Sequence, residues 1–210
     1  GDFKYNPEWE GYEQWKPAVP DLTLYEVEAD SDLLRAGNEA KGNRYIQICN
    51  STFITLPINV RAGEIVLLDI ACYEMINRTD RGCMFSVEQG GTLVLLSSEA
   101  THQLNPHGRL FSNIDNAIMA QIDGSFLMLG GYMHCETTGA SFGYALKIGK
   151  TGLVHVNGGG FFSYDGGTYC SSSAFVSPES EGEMHLYNGY SGAKADRYAT
   201  SKYLYLSENL

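Results

Sequence analysis

The chain has 210 residues, enough for one well-buried core, and a formal net charge of −11. This acidity argues against a nucleic-acid partner, because a phosphate backbone is bound by a basic surface. No apolar run approaches the roughly 18 residues of a membrane-spanning helix, so no membrane span is predicted.

Residues 1–22 are predicted to form an N-terminal arm. Asn6-Pro7, Lys16-Pro17 and Val19-Pro20 interrupt regular structure there. Four aromatic residues are too many for a free linker: Tyr5, Trp9, Tyr12 and Trp15. The arm either packs on the end or side of its own domain or docks on another chain.

Residues 23–210 are predicted to form one domain that opens with a strand and a short helix. Residues 22–29 alternate well enough for a strand. Asp30 or Ser31 can cap a helix at about 31–41, and Lys41-Gly42 can end it. So short a helix is not stable alone. It suits a cap over the open end of a repeat array, where sheet edges would otherwise be free to aggregate.

From Asn43 onward strands and turns are predicted, and five segments repeat. Each has a small or polar residue, a mostly apolar run and then a turn-former. Their third positions fall at 66, 94, 127, 154 and 185, a spacing typical of a solenoid. The segments are 64–69, 92–97, 125–130, 152–157 and 183–188.

Strand alternation divides each segment between two faces. The second and fourth positions are predicted to point inward: Ile65, Leu67, Leu93, Leu95, Phe126, Met128, Leu153, His155, Met184 and Leu186. The third and fifth positions are then outward and mostly apolar, so something is expected to cover them, either the arm or an identical neighbour. The sixth positions are predicted to form a corner: Asp69, Ser97, Gly130, Asn157 and Asn188.

The phrase Val154-His155-Val156-Asn157-Gly158-Gly159 and the order of strands from Leu24 to Leu93 resemble a known family. They are similar to the adhesin-like, pectin-lyase-like β-helix domains of bacterial surface proteins. The resemblance implies an all-β, right-handed, single-stranded parallel β-helix (a solenoid) with a short N-terminal capping helix. It also implies an asparagine ladder at one corner and a cell-surface or secreted location.

No cofactor or metal site is predicted. The five cysteines are odd in number and lack CxxC spacing, which favours buried free thiols over a zinc site or a disulfide framework. The five histidines share no metal-ligand spacing. Acidic residues such as Asp69, Asp123 and Glu136 do not stack in neighbouring segments, which favours turn and surface roles over catalysis.

Tyrosines and histidines become frequent in the last two repeats, and tyrosine suits sugar rings and protein surfaces. A ligand-binding surface is predicted at Tyr132, His134, Tyr164, Asp165, His185, Tyr187 and Tyr190. The leading hypothesis is a non-catalytic domain for adhesion or glycan binding, with a glycan or host cell-surface protein as partner. The alternatives are a β-helix polysaccharide lyase or hydrolase, and a phage tail or decoration subunit in a virion. A homo-oligomer, such as a trimer, would form through the apolar outer sheet or the arm.

Overall fold

A computed structural model describes residues 22–98, 108–137, 143–156, 158–165, 176–186 and 204–206. Within these ranges no helix is long and apolar enough to cross a membrane. The predicted arm, apart from Leu22, lies outside the described residues. The side chains of residues 137, 162–165, 186 and 204–206 lie outside them as well.

The fold is mostly β, with three parallel sheets that we name A, B and C. Sheet A contains β1 (Thr23–Val27), β2 (Arg44–Ile48), β5 (Ile65–Asp69), β8 (Thr92–Leu96), β11 (Ser125–Met128), β14 (Leu153–Val156), β16 (Glu183–Leu186) and β17 (Leu204–Leu206). Sheet B contains β3 (Thr52–Ile54), β6 (Glu74–Asn77), β9 (Arg109–Ser112), β12 (Tyr132–Thr137) and β15 (Gly160–Asp165). Sheet C contains β4 (Ile58–Val60), β7 (Phe85–Val87), β10 (Ile118–Ile122) and β13 (Tyr144–Ile148).

The chain visits the three sheets in a fixed rotation. Four successive circuits each contribute one strand to A, then B, then C: β2-β3-β4, β5-β6-β7, β8-β9-β10 and β11-β12-β13. Each strand pairs in parallel with its counterpart in the next circuit. The predicted all-β architecture with stacked parallel strands is therefore confirmed at this level.

A helical segment replaces the sheet B and C strands between β1 and β2. Helix α1 covers Asp30–Leu34 and continues as a π-helical turn over Arg35–Glu39, close to the predicted 31–41. The carboxylate of Asp32 accepts the backbone N–H groups of Glu28 and Ala29. The carboxylate of Asp30, predicted as a helix cap, instead accepts hydrogen bonds from the Thr52 hydroxyl and the Phe53 N–H. It thus ties the helix to sheet B.

A buried charge network holds the end of this helical segment on the next circuits. Arg44 is fully buried and donates to the carbonyls of Ala40 (2.6 Å) and Asn59 (2.9 Å) and to the Glu64 carboxylate (3.3 Å). Glu64 also accepts the Arg61 guanidinium and the backbone N–H of Gly42. The Ala40 carbonyl at the end of the helical segment thereby has a hydrogen-bond donor in the Arg44 guanidinium. A buried carbonyl at a helix end needs such a partner.

The core rows of sheet A correct part of the sequence prediction. Two rows of sheet A side chains point inward. The first is Val66, Leu93, Phe126, Val154 and Met184, and the second, two residues further along each strand, is Leu68, Leu95, Met128 and Val156. The prediction was right for Leu93, Leu95, Phe126, Met128 and Met184. It was wrong for Ile65, Leu67, Leu153 and His155, which face outward. The prediction placed segments 64–69 and 152–157 one residue out of register with the other three. A one-residue slip moves every side chain of a strand to the other face.

Four glycines at the corner between sheets C and A fix the true register. We name Gly91, Gly124, Gly152 and Gly182 the glycine column, because each stands two residues before its inward core residue. The Gly91 carbonyl accepts the Ser125 N–H, and the Gly124 carbonyl accepts the Leu153 N–H. A Cβ on Gly91 would lie 2.8 Å from the carbonyl oxygens of Val60 and Arg61, so the circuits approach too closely for a side chain.

The central part of the outward face of sheet A is apolar and buried, as predicted, whereas Leu24 of β1 is 53 % exposed. We name Tyr45, Leu67, Val94, Leu96 and Leu127 the outer strip. Leu67 and Val94 are 0 % exposed, and the other three are at most 5 % exposed. Val66, Leu68, Val154 and Val156, which were predicted to belong to this outward set, lie in the core instead.

The structure describes four of the cysteines: Cys49, Cys72, Cys83 and Cys135. Cys135 is fully buried in sheet B, and burial raises the pKa of its thiol to about 12. It serves as a small apolar core residue, as predicted for this class of cysteine. The other three are half-buried.

Candidate functional site

The outward face of sheet B carries a row of three aromatic side chains and one isoleucine. The register aligns Phe53 of β3, Ile76 of β6, Phe111 of β9 and His134 of β12 on adjacent strands. Neighbouring positions such as Met75, Leu110 and Met133 point into the core. We name the four outward residues the aromatic row. Successive members stand about 4.8 Å apart, the spacing of paired strands.

Cations lie over two rings of this row. The Arg78 guanidinium carbon lies 5.4 Å from the Phe53 ring centroid, and that of Arg109 lies 4.8 Å from the Phe111 centroid. Phe111 also meets His134 edge-to-face, with ring centroids 5.2 Å apart and an interplanar angle of 86°. Phe53 is 44 % exposed, so the first ring of the row is open to solvent.

Charged and polar groups flank the row. Arg109 forms an ion pair with Glu74 of the preceding strand, and its second guanidinium nitrogen lies 3.4 Å from His134 Nδ1. The other imidazole nitrogen, Nε2, lies 4.0 Å from the Glu136 carboxylate. Burial, and then the charge of Arg109, lower the pKa of His134. The imidazole is therefore neutral at pH 7 and can take part in hydrogen bonds without carrying charge.

Arg78 is held in place at the end of β6 while its surface stays exposed. Its guanidinium donates to the Asn77 carbonyl (3.2 Å) and to the Asn113 side-chain oxygen (3.3 Å). Among the ion pairs of the described residues, none includes Arg78. Its remaining N–H groups suit a hydroxyl or carboxylate ligand lying beside Phe53.

A pocket of about 240 Å³ adjoins this end of the row, at the corner between sheets B and C. Its walls include Leu56, which is 51 % exposed, together with Pro57, Asp80 and Arg81. The pocket extends the apolar surface that begins at Phe53. The exposed surface is therefore an open, shallow face rather than an enclosed cavity.

The structure brings together some of the predicted site residues and separates others. Tyr132 and His134 lie on the outward face of β12, and Tyr164 pairs in register with Glu136 on the neighbouring strand. Asp165 pairs with Thr137, one position further along. His185 lies on β16 in sheet A, away from this face. Tyr187 and Tyr190 lie outside the described residues.

His155, predicted to lie at the core face, lies outward and stacks on His185 of the next strand. Their ring centroids are 5.0 Å apart, with an interplanar angle of 20°. The Glu183 carboxylate lies 3.4 Å from His185 Nε2. Burial, and then the neighbouring His185, lower the pKa of His155 to about 4. The imidazole of His155 is therefore neutral at physiological pH.

The sequence analysis missed Phe53, Phe111, Arg78 and Arg109. The signal that would have found Phe53, Arg109 and Phe111 is the alternation in Thr52-Phe53-Ile54 and in Arg109-Leu110-Phe111-Ser112. In each stretch an inward apolar or small residue alternates with an aromatic or charged one. The prediction rested on tyrosine and histidine in the last two repeats.

Asp69 takes a structural role at the end of β5. The Asp69 carboxylate accepts the N–H groups of Ala71 and Ser98 and the Tyr45 hydroxyl, which is the corner role predicted for it. In the described part of the chain, no group of three or more His, Cys, Asp or Glu residues is placed to hold a metal ion.

No family model, curated protein or solved structure matches this chain.

Proposed function

We propose that the domain is a right-handed parallel β-helix. The support is the fixed rotation of four circuits through sheets A, B and C with parallel pairing throughout. Connections between parallel strands of one sheet are right-handed in about 98 % of cases. The helical segment that takes the place of two strands in the first circuit fits the role of an end cap.

We further propose that this domain is a non-catalytic module of a cell-surface or secreted protein, and that it binds a glycan. The observation that carries the proposal is the aromatic row on the outward face of sheet B, with Arg78 and Arg109 over two of its rings. Aromatic faces pack against the C–H faces of sugars, and the flanking polar groups bond the hydroxyls.

The shape of this face favours an extended ligand. Small molecules bind in concave sites that enclose most of their surface, typically pockets of about 300–1,000 Å³. The row instead crosses four strands of an open sheet and leads into a corner pocket of about 240 Å³. A glycan chain running across the strands would contact Phe53, Phe111 and His134 in turn.

A glycan array followed by calorimetry of the best binder tests this function. We expect Phe53→Ala and Phe111→Ala each to weaken binding by about ten-fold, since losing an aromatic contact is worth about 0.5–1.5 kcal/mol beyond its buried area. Ser86→Ala on the outward face of sheet C is the control and should bind as the parent does. An array without binders, or equal affinity in all four proteins, contradicts the proposal.

A lyase or hydrolase is the second proposal, and one observation favours it. Glu74 and Glu136 lie on the same outward face as the aromatic row, where a bound glycan would meet them. Incubation with acidic polysaccharides, followed by product analysis, separates the two functions. Cleavage that Glu136→Gln abolishes would establish the enzyme, whereas binding without cleavage would favour the non-catalytic module.

A further inference from the structure

The Arg109 guanidinium makes three contacts on the outward face of sheet B. One of its terminal nitrogens, Nη2, pairs with the Glu74 carboxylate on the preceding strand. Its carbon lies 4.8 Å from the centroid of the Phe111 ring. The other terminal nitrogen, Nη1, lies 3.4 Å from His134 Nδ1 on the following strand. Contacts with both neighbouring strands and with a ring of its own strand fix the plane and the direction of the guanidinium.

The contact with Nδ1 determines where the imidazole proton of His134 lies. A guanidinium has only hydrogen-bond donors, whereas a neutral imidazole has one N–H donor and one acceptor nitrogen. A hydrogen bond from Arg109 Nη1 therefore requires that Nδ1 carries no proton, which leaves the proton on Nε2. Nε2 is the nitrogen that lies 4.0 Å from the Glu136 carboxylate. The same contact disfavours the imidazolium, because two donors would then face each other.

We propose that Arg109 is a positioning residue, which fixes His134 as the neutral tautomer with its proton on Nε2, on the side of Glu136. Its consequence for a ligand rests on the proposed glycan site, whereas the tautomer itself does not. Because Arg109 occupies the acceptor nitrogen, His134 is not available to take a proton from a ligand. If the face is catalytic, the proton acceptor at this end of it is the Glu136 carboxylate.

The charges around His134 agree with this role of Arg109. Among the described side chains, those that face the imidazole are Arg109 from β9, Glu74 from β6 and Glu136 from its own strand. On the other side, β15 places the uncharged residue Phe162 in register with His134. Burial, and then the charge of Arg109, lower the pKa of His134, while the two carboxylates oppose this effect. Removing the charge of Arg109 should therefore raise the pKa of His134.

Long-range proton–nitrogen NMR of the full, nitrogen-15-labelled chain tests the proposal, because it distinguishes the two neutral tautomers from the imidazolium. The signals of His134 are those that disappear in His134→Gln. We expect the proton on Nε2 at pH 7 and a titration midpoint below the ordinary value of about 6.5. A parent protein with the proton of His134 on Nδ1, or with a mixture of the two tautomers, would overturn the proposal.

A series of variants separates Arg109 from the other cations of this face. Arg109→Met removes both the donor and the charge, so the Nδ1–H form should become detectable. The midpoint should also rise by about one pH unit, since a like charge within about 4–6 Å disfavours the charged form. Arg109→Lys keeps a donor and the charge and should restore part of both effects. Arg78→Met removes a cation for which no contact with His134 is found, and it should change neither.

Two outcomes of this series would contradict the role of Arg109. One is a tautomer and midpoint in Arg109→Met equal to those of the parent, and the other is an equal change in Arg78→Met. Far-UV circular dichroism checks the fold of each variant. If Arg109→Met does not fold, Arg109→Gln keeps an N–H group for Glu74 without the charge, and an unchanged midpoint there would likewise overturn the proposal. These measurements need no ligand, so a glycan array without binders would leave them unaffected.

Discussion

Gly124→Ala is expected to destabilise the domain strongly, because the corner between sheets C and A leaves no room for a side chain. A Cβ at Gly124 would lie well inside van der Waals contact of the carbonyl oxygens of Glu88 and Gly91. Both are backbone atoms of the preceding circuit, so no side chain can rotate away to relieve the clash. The circuits themselves would have to separate.

The expected cost follows from that separation. Overpacking a tight site costs about 1–3 kcal/mol. The hydrogen bond from the Ser125 N–H to the Gly91 carbonyl joins the same two circuits, and that from the Leu153 N–H to the Gly124 carbonyl joins the next one; loosening one of them costs about 1 kcal/mol more. We therefore expect Gly124→Ala to lower the free energy of unfolding by about 2–4 kcal/mol.

The matched control is Gly130→Ala, beyond the other end of the same strand. A Cβ there would lie 3.2 Å from the Ser97 nitrogen and 3.3 Å from the Ser97 Cβ, a tight approach that a small shift relieves. Alanine also reduces the entropy of the unfolded chain, which offsets part of the cost by about 0.4–1 kcal/mol. We expect a net change within about 1 kcal/mol.

Urea unfolding followed by circular dichroism measures both variants, with the free energy taken from the midpoint and slope. The parent and the two variants should share one slope, so that a change in midpoint reports stability. If Gly124→Ala unfolds at the same urea concentration as Gly130→Ala, the close approach of the circuits at this corner is refuted.

Two further predictions concern buried charge. Glu64→Gln should cost about 3–5 kcal/mol at pH 7, because Arg44 would stay buried without its counter-charge. Burial alone raises the pKa of Glu64, but hydrogen bonds from Arg61 and Gly42 and the nearby guanidinium charges lower it below its ordinary value. The advantage of the parent in urea titrations should therefore shrink as the pH falls below about 4; a gap that does not depend on pH would contradict this. The pKa of His155 is lowered to about 4 from an unfolded value of about 6.5. The free energy of unfolding should therefore decrease as the pH is lowered from about 6.5 to about 4, and should level off at lower pH. The loss is at most about 3 kcal/mol, and a His155→Gln variant that shows the same pH slope would exclude this histidine as its source.

The sequence predicted the architecture better than the register. The repeats were recognisable because each sheet A strand is apolar and ends in a turn. Both faces of these strands are apolar, however, so hydrophobicity does not distinguish inward from outward in Ile65-Val66-Leu67-Leu68. Aligning the repeats on the glycine column would have resolved the register of Leu153-Val154-His155, because Gly91, Gly124, Gly152 and Gly182 each stand two residues before a core residue. It would not have resolved the first repeat, where Glu64 stands two residues before Val66.

The candidate site was predictable only in part, for a different reason. Tyr132 and His134 were identified from residue type in one strand. Phe53 and Phe111 lie 81 and 23 residues before His134 in the sequence and join it only through the pairing of four parallel strands. Strand register across circuits is a tertiary property, and a one-residue change in it would point Phe111 into the core.

The three outward faces differ in a way that bears on function. The outward row of sheet C is polar, with Asn59, Ser86, Gln121 and Lys147, as an ordinary solvated face requires. The outer strip of sheet A is apolar and has almost no exposed surface, whereas Leu24 at the end of the same row is 53 % exposed.

Among the described side chains, only those of sheet B combine aromatic rings, cations and partial exposure: Phe53 is 44 % exposed, and Arg109 lies over Phe111. Exposed aromatic surface is costly for a protein to keep in water unless a ligand uses it. A polar face needs no partner, and the buried side chains of the outer strip leave little surface for one. An external ligand is therefore expected on sheet B, and loss of binding on changing Phe53 or Phe111, but not Ser86, is the result that this reasoning requires.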